Sequence, residues 1–379
     1  MNRPVLIVAT ALFLITHAAN LQVPLYGTYA QLAGYGSGLT AIAFSTYVAG
    51  LLPTLILLGG ISDRIGRKTV ILASLLSALL ATFLMIVHPT IYTLLATRVL
   101  QGIAVGLITG TGTAYISALI PQNSTQVAAY VSLTTALGFS SGALFTNAAL
   151  SLKYSLVPFS YWTIFLLFLG CIGLAIRLPE QPVSLGKLLR LPSFPAGTVP
   201  AGLAIALAWS LAGIVGVILP AQLMQYNLPN WSGPMLFIFV IAGVLFQPLA
   251  RRLDAQRSLQ LGSVILVVGY IGFTCGAWLG ALSLVLAGVA IAGTACYGFT
   301  YLGGLAQVVR LSGSQSARAT SGYFVCAYLG YGLPVILIGF FSDQIGIVNT
   351  LFWFGVVILV CNTLLVWIYQ RDKKEKQLT

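Results

Sequence analysis

The sequence predicts an all-α membrane protein with twelve transmembrane helices in two pseudo-symmetric six-helix halves. Three observations predict it. Of the 379 residues, 58% are hydrophobic and only 6% are charged, whereas a soluble domain carries roughly a quarter charged residues. Apolar runs of roughly twenty residues, each long enough to cross a bilayer, recur along the whole chain. The basic residues gather between alternate runs, as they do where Lys and Arg are held on the cytoplasmic side.

The runs fall at 5–26, 38–59, 69–88, 91–118, 126–149, 156–177, 200–222, 234–250, 258–276, 281–307, 318–341 and 348–369. They are continuously apolar rather than alternating, which predicts helices and not the strands of a closed barrel. The first run follows Arg3 and has the look of a signal peptide. No small-residue cleavage site follows it, however, and His17, Asn20 and Gln22 interrupt it, so it is read as a retained span. With the N-terminus cytoplasmic, sixteen of the eighteen basic residues lie inside; Lys153 lies outside and Arg98 lies within a span. Both termini are therefore expected on the cytoplasmic side of a multi-pass protein. The net charge of +12 is read as topology and not as affinity for nucleic acid.

The longest polar stretch, 178–197, holds Pro179, Pro182, Pro192 and Pro195. It divides the chain into an N-terminal half at 1–177, a cytoplasmic linker at 178–197, and a C-terminal half at 198–379 with a short basic tail. Cys171, Cys275, Cys296, Cys326 and Cys361 all fall in apolar runs, are odd in number and show no CxxC spacing. They read as small buried hydrophobes rather than as disulfides or metal ligands.

The strongest local pattern is Gly59-Gly60-Ile61-Ser62-Asp63-Arg64-Ile65-Gly66-Arg67-Lys68, between the second and third runs. A positive-inside turn explains its cations but not the Asp-Arg-x-Gly-Arg-Lys order. The decamer resembles the signature loop of the major facilitator superfamily, Gly-x-x-x-Asp-Arg-x-Gly-Arg-Arg/Lys, at the place where that family carries it. Twelve spans, two halves and a central cytoplasmic linker extend the resemblance over the whole chain. The resemblance implies a gating latch made by Gly59, Asp63, Arg64, Gly66 and Arg67, with Asp63 facing the cytoplasmic start of the eleventh helix near Arg318–Ser321. The second half carries a basic but out-of-pattern counterpart, Pro248–Asp254. A further echo, Gly339-Phe340-Phe341-Ser342-Asp343-Gln344-Ile345-Gly346, lies on the opposite side of the predicted membrane and cannot be the same latch.

Arg98 is the one charged residue well inside a span, and an intramembrane charge marks a functional site by default. Arg98, Gln101, Gly102 and Thr109 share one helical face, and Arg98–Gly102 resembles the family's Arg-x-x-Gln-Gly pattern of proton-coupled members. The competing reading is an arginine that snorkels to the outer interface. His17 and Asn20 lie in the first span, with Trp209 in the seventh and Tyr297 and Tyr301, one turn apart, in the tenth. In the resembling family, helices one, four, seven and ten line the substrate cavity. The expected cavity residues are therefore Arg98, Gln101, Asn20, Trp209, Tyr297 and Tyr301. His17 and Arg98 are the candidates for proton coupling, since histidine titrates near neutrality. Each of these polar residues also has a plain reading as a helix–helix hydrogen bond.

All six acids (Asp63, Glu180, Asp254, Asp343, Asp372 and Glu375) fall in loops or the tail, so no carboxylate waits mid-membrane for a cationic drug. The segment Gly138–Leu144 lacks the proline of the family's antiporter signature, which puts a drug–proton antiporter in doubt. No phosphate-binding loop, metal spacing or nucleophile–base pair is present, so neither an enzyme, a cofactor nor a resident metal is expected. The expected function is alternating-access transport, with proton-coupled efflux of a neutral or anionic amphipathic metabolite such as a carboxylate siderophore. Three alternatives stay open: a multidrug exporter of neutral compounds, a uniporter or importer, and a non-transporting sensor or scaffold. The expected partners are a small-molecule substrate, membrane lipid and protons. The expected setting is a monomer in a bacterial inner membrane.

Overall fold

The computed structural model describes residues 3–120, 124–181, 191–228 and 231–378. Most of the expected linker, with Lys187 and Arg190, lies outside the described residues. The chain forms two compact units: residues 1–35 with 46–191, and residues 36–45 with 192–379. Among the described residues, eleven helices are long and apolar enough to cross a membrane. Where a sixth span was expected there is a shorter apolar helix, Phe159–Ala175.

The first unit begins with α1 (Arg3–Asn20), a 3-10 turn (Val23–Leu25) and α2 (Tyr26–Leu32). Pro24 explains the interruption, because a proline ring clashes with the carbonyl four residues earlier and offers no N–H. That carbonyl is Asn20's, and α1 stops there. Then come α3 (Ser37–Leu57), α4 (Ile61–Ile65), α5 (Arg67–Val87), α6 (Ile91–Leu119), α7 (Ser124–Leu152) and α8 (Phe159–Ala175). Gly66, at φ +91°, turns α4 into α5; only glycine takes that conformation without steric cost.

Bilayer hydrocarbon provides no hydrophobic drive between helices, so small residues set how close they come. On α7, a Cβ at Gly142 would collide with the carbonyl oxygen of His17, and one at Gly138 would lie 2.7 Å from that of Phe13. The pair Gly138-x-x-x-Gly142 thus lets α7 lie against α1. On α6, Gly102 meets the Tyr47 carbonyl of α3 in the same way.

The second unit contains α9 (Val199–Gly213), a π-helical turn (Ile214–Ile218), α10 (Leu219–Met224), α11 (Ser232–Ala250) and α12 (Ala255–Leu279). It continues through α13 (Leu282–Gly293), a second π segment (Thr294–Thr300), α14 (Tyr301–Ser312), α15 (Ser316–Ile345) and α16 (Ile347–Leu378). Pro220 follows the first π turn and, as Pro24 does, displaces the carbonyl four residues before it. In the most apolar stretch of Val199–Met224, 83% of the residues are buried, against 22% in that of Ile347–Ile368. The first is therefore an interior helix, and the second presents most of its surface to lipid. In the out-of-pattern loop after α11, Asp254 caps α12 by accepting from the Arg257 N–H at 2.9 Å.

Candidate functional site

Arg98, in α6, is completely buried. It neither snorkels nor stands free. Its guanidinium donates to the Ala19 carbonyl at 2.5 Å and to Gln101 Oε1 at 3.0 Å. It lies over the rings of Tyr47 and Tyr26, 4.7 and 5.7 Å from their centroids. Gln101 Nε2 donates to the Ala18 carbonyl at 3.0 Å and to Gln22 Oε1 at 2.9 Å. The physical logic follows from Pro24. Ending α1 at Asn20 strips its last carbonyls of helical partners, and the end of a helix attracts positive charge. Arg98 satisfies the Ala19 carbonyl inside the membrane, where an unpaired polar group is costly. Gln101 adds a second donor to the Ala18 carbonyl, which also accepts from the Leu21 N–H.

His17 and Asn20 face α7. His17 Nδ1 is 2.8 Å from Ser141 Oγ, and Asn20 donates to the Phe139 carbonyl at 2.7 Å. The His17 ring is tilted against Phe13 and Phe145, and its Nε2 is buried without a hydrogen-bond partner.

The decamer loop divides its labour. Arg67 donates to the Ala114 carbonyl near the end of α6 (3.0 Å) and to Gln181 Oε1 (2.5 Å). Lys68 pairs with Glu180 at 3.5 Å, and Tyr115 donates to the Pro179 carbonyl. The two cations thereby fasten the start of the linker to the ends of α5 and α6.

In the second unit, Trp209 of α9 sits among tyrosines: Tyr328 at 5.0 Å edge-on, Tyr297 at 6.0 Å and Tyr331 at 6.3 Å between ring centroids. Phe239 meets Tyr297 edge-on at 5.8 Å. Tyr297, Tyr301, Tyr328 and Tyr331 are half-buried, and Trp209 Nε1 is buried with no acceptor. Both π segments adjoin this cluster in sequence, and such bulges often mark functional sites. A separate groove of about 700 Å³ runs between α9, α15 and α16. Its only hydroxyls, on Ser210 and Thr350, are already bonded to helix carbonyls, so its lining is overwhelmingly apolar, with Trp353 and Cys361 as its other heteroatom-bearing side chains. Tyr301 lies beside Phe324 rather than against Trp209. Among the described residues, no group of three or more His, Cys, Asp or Glu is placed to hold a metal ion.

The family model of the Major Facilitator Superfamily matches residues 8–333. The chain belongs to the major facilitator superfamily. Solved structures of the same fold include the nucleoside transporter NupG, in a mutant form, with a TM-score of 0.78 and 15% identity, covering 98% of this chain and 99% of that one. A POT family transporter in complex with 5-aminolevulinic acid has a TM-score of 0.76 and 14% identity, covering 97% and 96%. A mutant of a peptide transporter POT has a TM-score of 0.79 and 12% identity, covering 97% and 94%. Identities this low carry the fold and nothing finer. A comparison with curated protein sequences finds no match.

This superfamily member is thus a multi-pass membrane transporter and not an enzyme. Several residues beside its candidate sites escaped the sequence reading. Gln22 was noticed only as a polar break in the first run, and Tyr26 and Tyr47 were invisible, because only tertiary packing brings the three to Arg98 and Gln101. Tyr328 and Tyr331 had a usable signal: they are three residues apart on α15, so they share a helical face.

Proposed function

We propose that this superfamily member is a proton-coupled secondary transporter that exports a small, neutral, amphipathic organic molecule. The observation that carries the reading is the Trp209 indole N–H, buried among half-exposed tyrosines without an acceptor. A buried donor left unpaired costs about 1–3 kcal/mol. A ligand with a flat apolar body and one acceptor would relieve that cost and stack on the rings. The similar structures, of a nucleoside transporter and of POT family transporters, favour a small organic solute.

Two facts favour neutrality. The acids were expected only in loops or the tail, but Asp343 falls in the last turn of the span Arg318–Ile345. Its two oxygens are already taken by the Ser37 and Gly38 N–H groups, so among the described spans no acid is left to pair with a cation. The Arg98 guanidinium is already engaged with Ala19, Gln101, Tyr26 and Tyr47, which weakens the case for a carboxylate substrate. The proton carrier in this reading is His17, whose Nε2 is buried without a partner. Each ligand would drive the exchange only by its differential affinity for the alternating states. The short loops and plain two-half build favour export.

The test uses proteoliposomes with a lumenal pH dye and a panel of neutral, anionic and cationic compounds. Neutral compounds are expected to move protons. Trp209→Phe, which keeps a ring but loses the N–H, is expected to raise the half-saturating concentration about tenfold, the equivalent of one hydrogen bond. A response to cations alone, or an unchanged Trp209→Phe, would overturn the reading.

A further inference from the structure

The echo Gly339-x-x-x-Asp343-x-x-Gly346 has the same spacing as Gly59-x-x-x-Asp63-x-x-Gly66, and the structure shows that the likeness is more than spacing. Each aspartate lies in the last turn before a glycine of positive φ, +91° at Gly66 and +83° at Gly346. Each glycine is followed at once by a helix, α5 or α16.

The Asp343 carboxylate has a specific partner. Its two oxygens accept the backbone N–H groups of Ser37 and Gly38, each at 2.8 Å. These are the first two residues of α3, whose leading N–H groups have no helical acceptor and whose N-terminus favours an anion. The contact is built for close approach. A Cβ at Gly36 would lie 2.6 Å from Asp343 Oδ1, and one at Gly339 would lie 2.6 Å from the Ala41 Cβ. Further along, Ser45 donates to the Gly332 carbonyl at 2.8 Å, and the Phe44 and Tyr331 rings are 4.7 Å apart. Residues 36–45 accordingly belong to the second compact unit, while α3 from Thr46 onward belongs to the first. α3 has 21 residues, about 30 Å of helix, and the Asp63 loop follows its other end. An acid of this pattern therefore meets the start of α3, and another follows its end in sequence.

We propose that Asp343 is a second gating residue of transport, a carboxylate latch that holds the start of α3 on α15 and must release it when the transporter opens at that end. The assignment rests on the transporter reading, but its test needs no substrate.

The test is done on the full chain, with the five native cysteines replaced by serine. Thr40→Cys is the reporter, because Thr40 is only 7% exposed on the latched segment. Maleimide labelling of Cys at position 40 is read by mass shift. Asp343→Asn, which keeps the shape but not the charge, is expected to label about tenfold faster, while Asp343→Glu stays near the parent rate. Ser37→Pro removes a donor from the other side of the contact at a position where helices tolerate proline. It is expected to accelerate labelling too, and it serves if the Asp343 variants misfold. Asp63→Asn should slow labelling and, combined with Asp343→Asn, bring it back toward the parent rate. Labelling that stays constant in both Asp343→Asn and Ser37→Pro, even with a lowered Tm, would reduce Asp343 to a helix cap and overturn the proposal. A response to Asp343 without one to Asp63 would leave this latch standing and remove only the Asp63 one.

Discussion

Arg98 donates to the carbonyl oxygen of Ala19 at 2.5 Å, at the point where α1 stops. A charge buried in a membrane helix thus caps a neighbouring helix that a proline has broken. Arg98→Ala should abolish transport and also lower thermal stability by about 1.5–3 kcal/mol, the value of a charged hydrogen bond. Arg98→Lys should recover only part of it, because a lysine lacks the planar fork. Thermal unfolding in detergent, beside transport, checks both. Lost transport with unchanged stability would mean that Arg98 acts on the substrate instead.

His17 is held by Ser141 and two phenyl rings. His17→Gln keeps a hydrogen-bonding group toward Ser141 but cannot titrate. Proton movement should vanish while substrate still equilibrates down its own gradient. Persisting substrate-driven acidification in the lumenal dye assay would make His17 purely structural.

Gly142 has no room for a side chain beside the His17 carbonyl, whereas nothing lies within 4 Å of a Cβ at Gly110. Gly142→Leu should lower stability by about 1–3 kcal/mol through overpacking. Gly110→Ala should stabilise by up to about 1 kcal/mol, the helix propensity difference. Melting curves of the two variants give the comparison directly, and equal shifts would refute the close-packing account.

Arg67 ties Gln181 to the end of α6. Arg67→Ala should free residues 179–181 and expose them to protease several times faster than in the parent. Limited proteolysis with fragment masses reads this out. An unchanged cleavage rate would show that Lys68–Glu180 and Tyr115 suffice to hold the linker.

How much could be read from the sequence varies with the kind of evidence. The apolar runs placed the membrane helices, because length and hydropathy are local properties. The run at 156–177 became a helix of 17 residues, Phe159–Ala175; the Pro158 before it and the turn after Ala175 trim it. The loop Gly59–Lys68 announced the family because its order of residues is itself the signal. Arg98 and Gln101 were legible as unusual, since a charge in an apolar run is conspicuous. What they face was not legible.

By itself the sequence determined the all-helical membrane fold, the superfamily, the scarcity of acids and the repeated glycine–aspartate spacing. These follow from composition, periodicity and order along one chain. Only the tertiary structure decided that Arg98 meets Ala19, that Trp209 is ringed by Tyr297, Tyr328 and Tyr331, and that Asp343 caps α3 three hundred residues before it in the chain. The physical reason is that helical periodicity tells which residues share a face. Which backbone carbonyl, ring or N–H waits opposite that face depends on packing between distant segments, and a single sequence holds no local record of that.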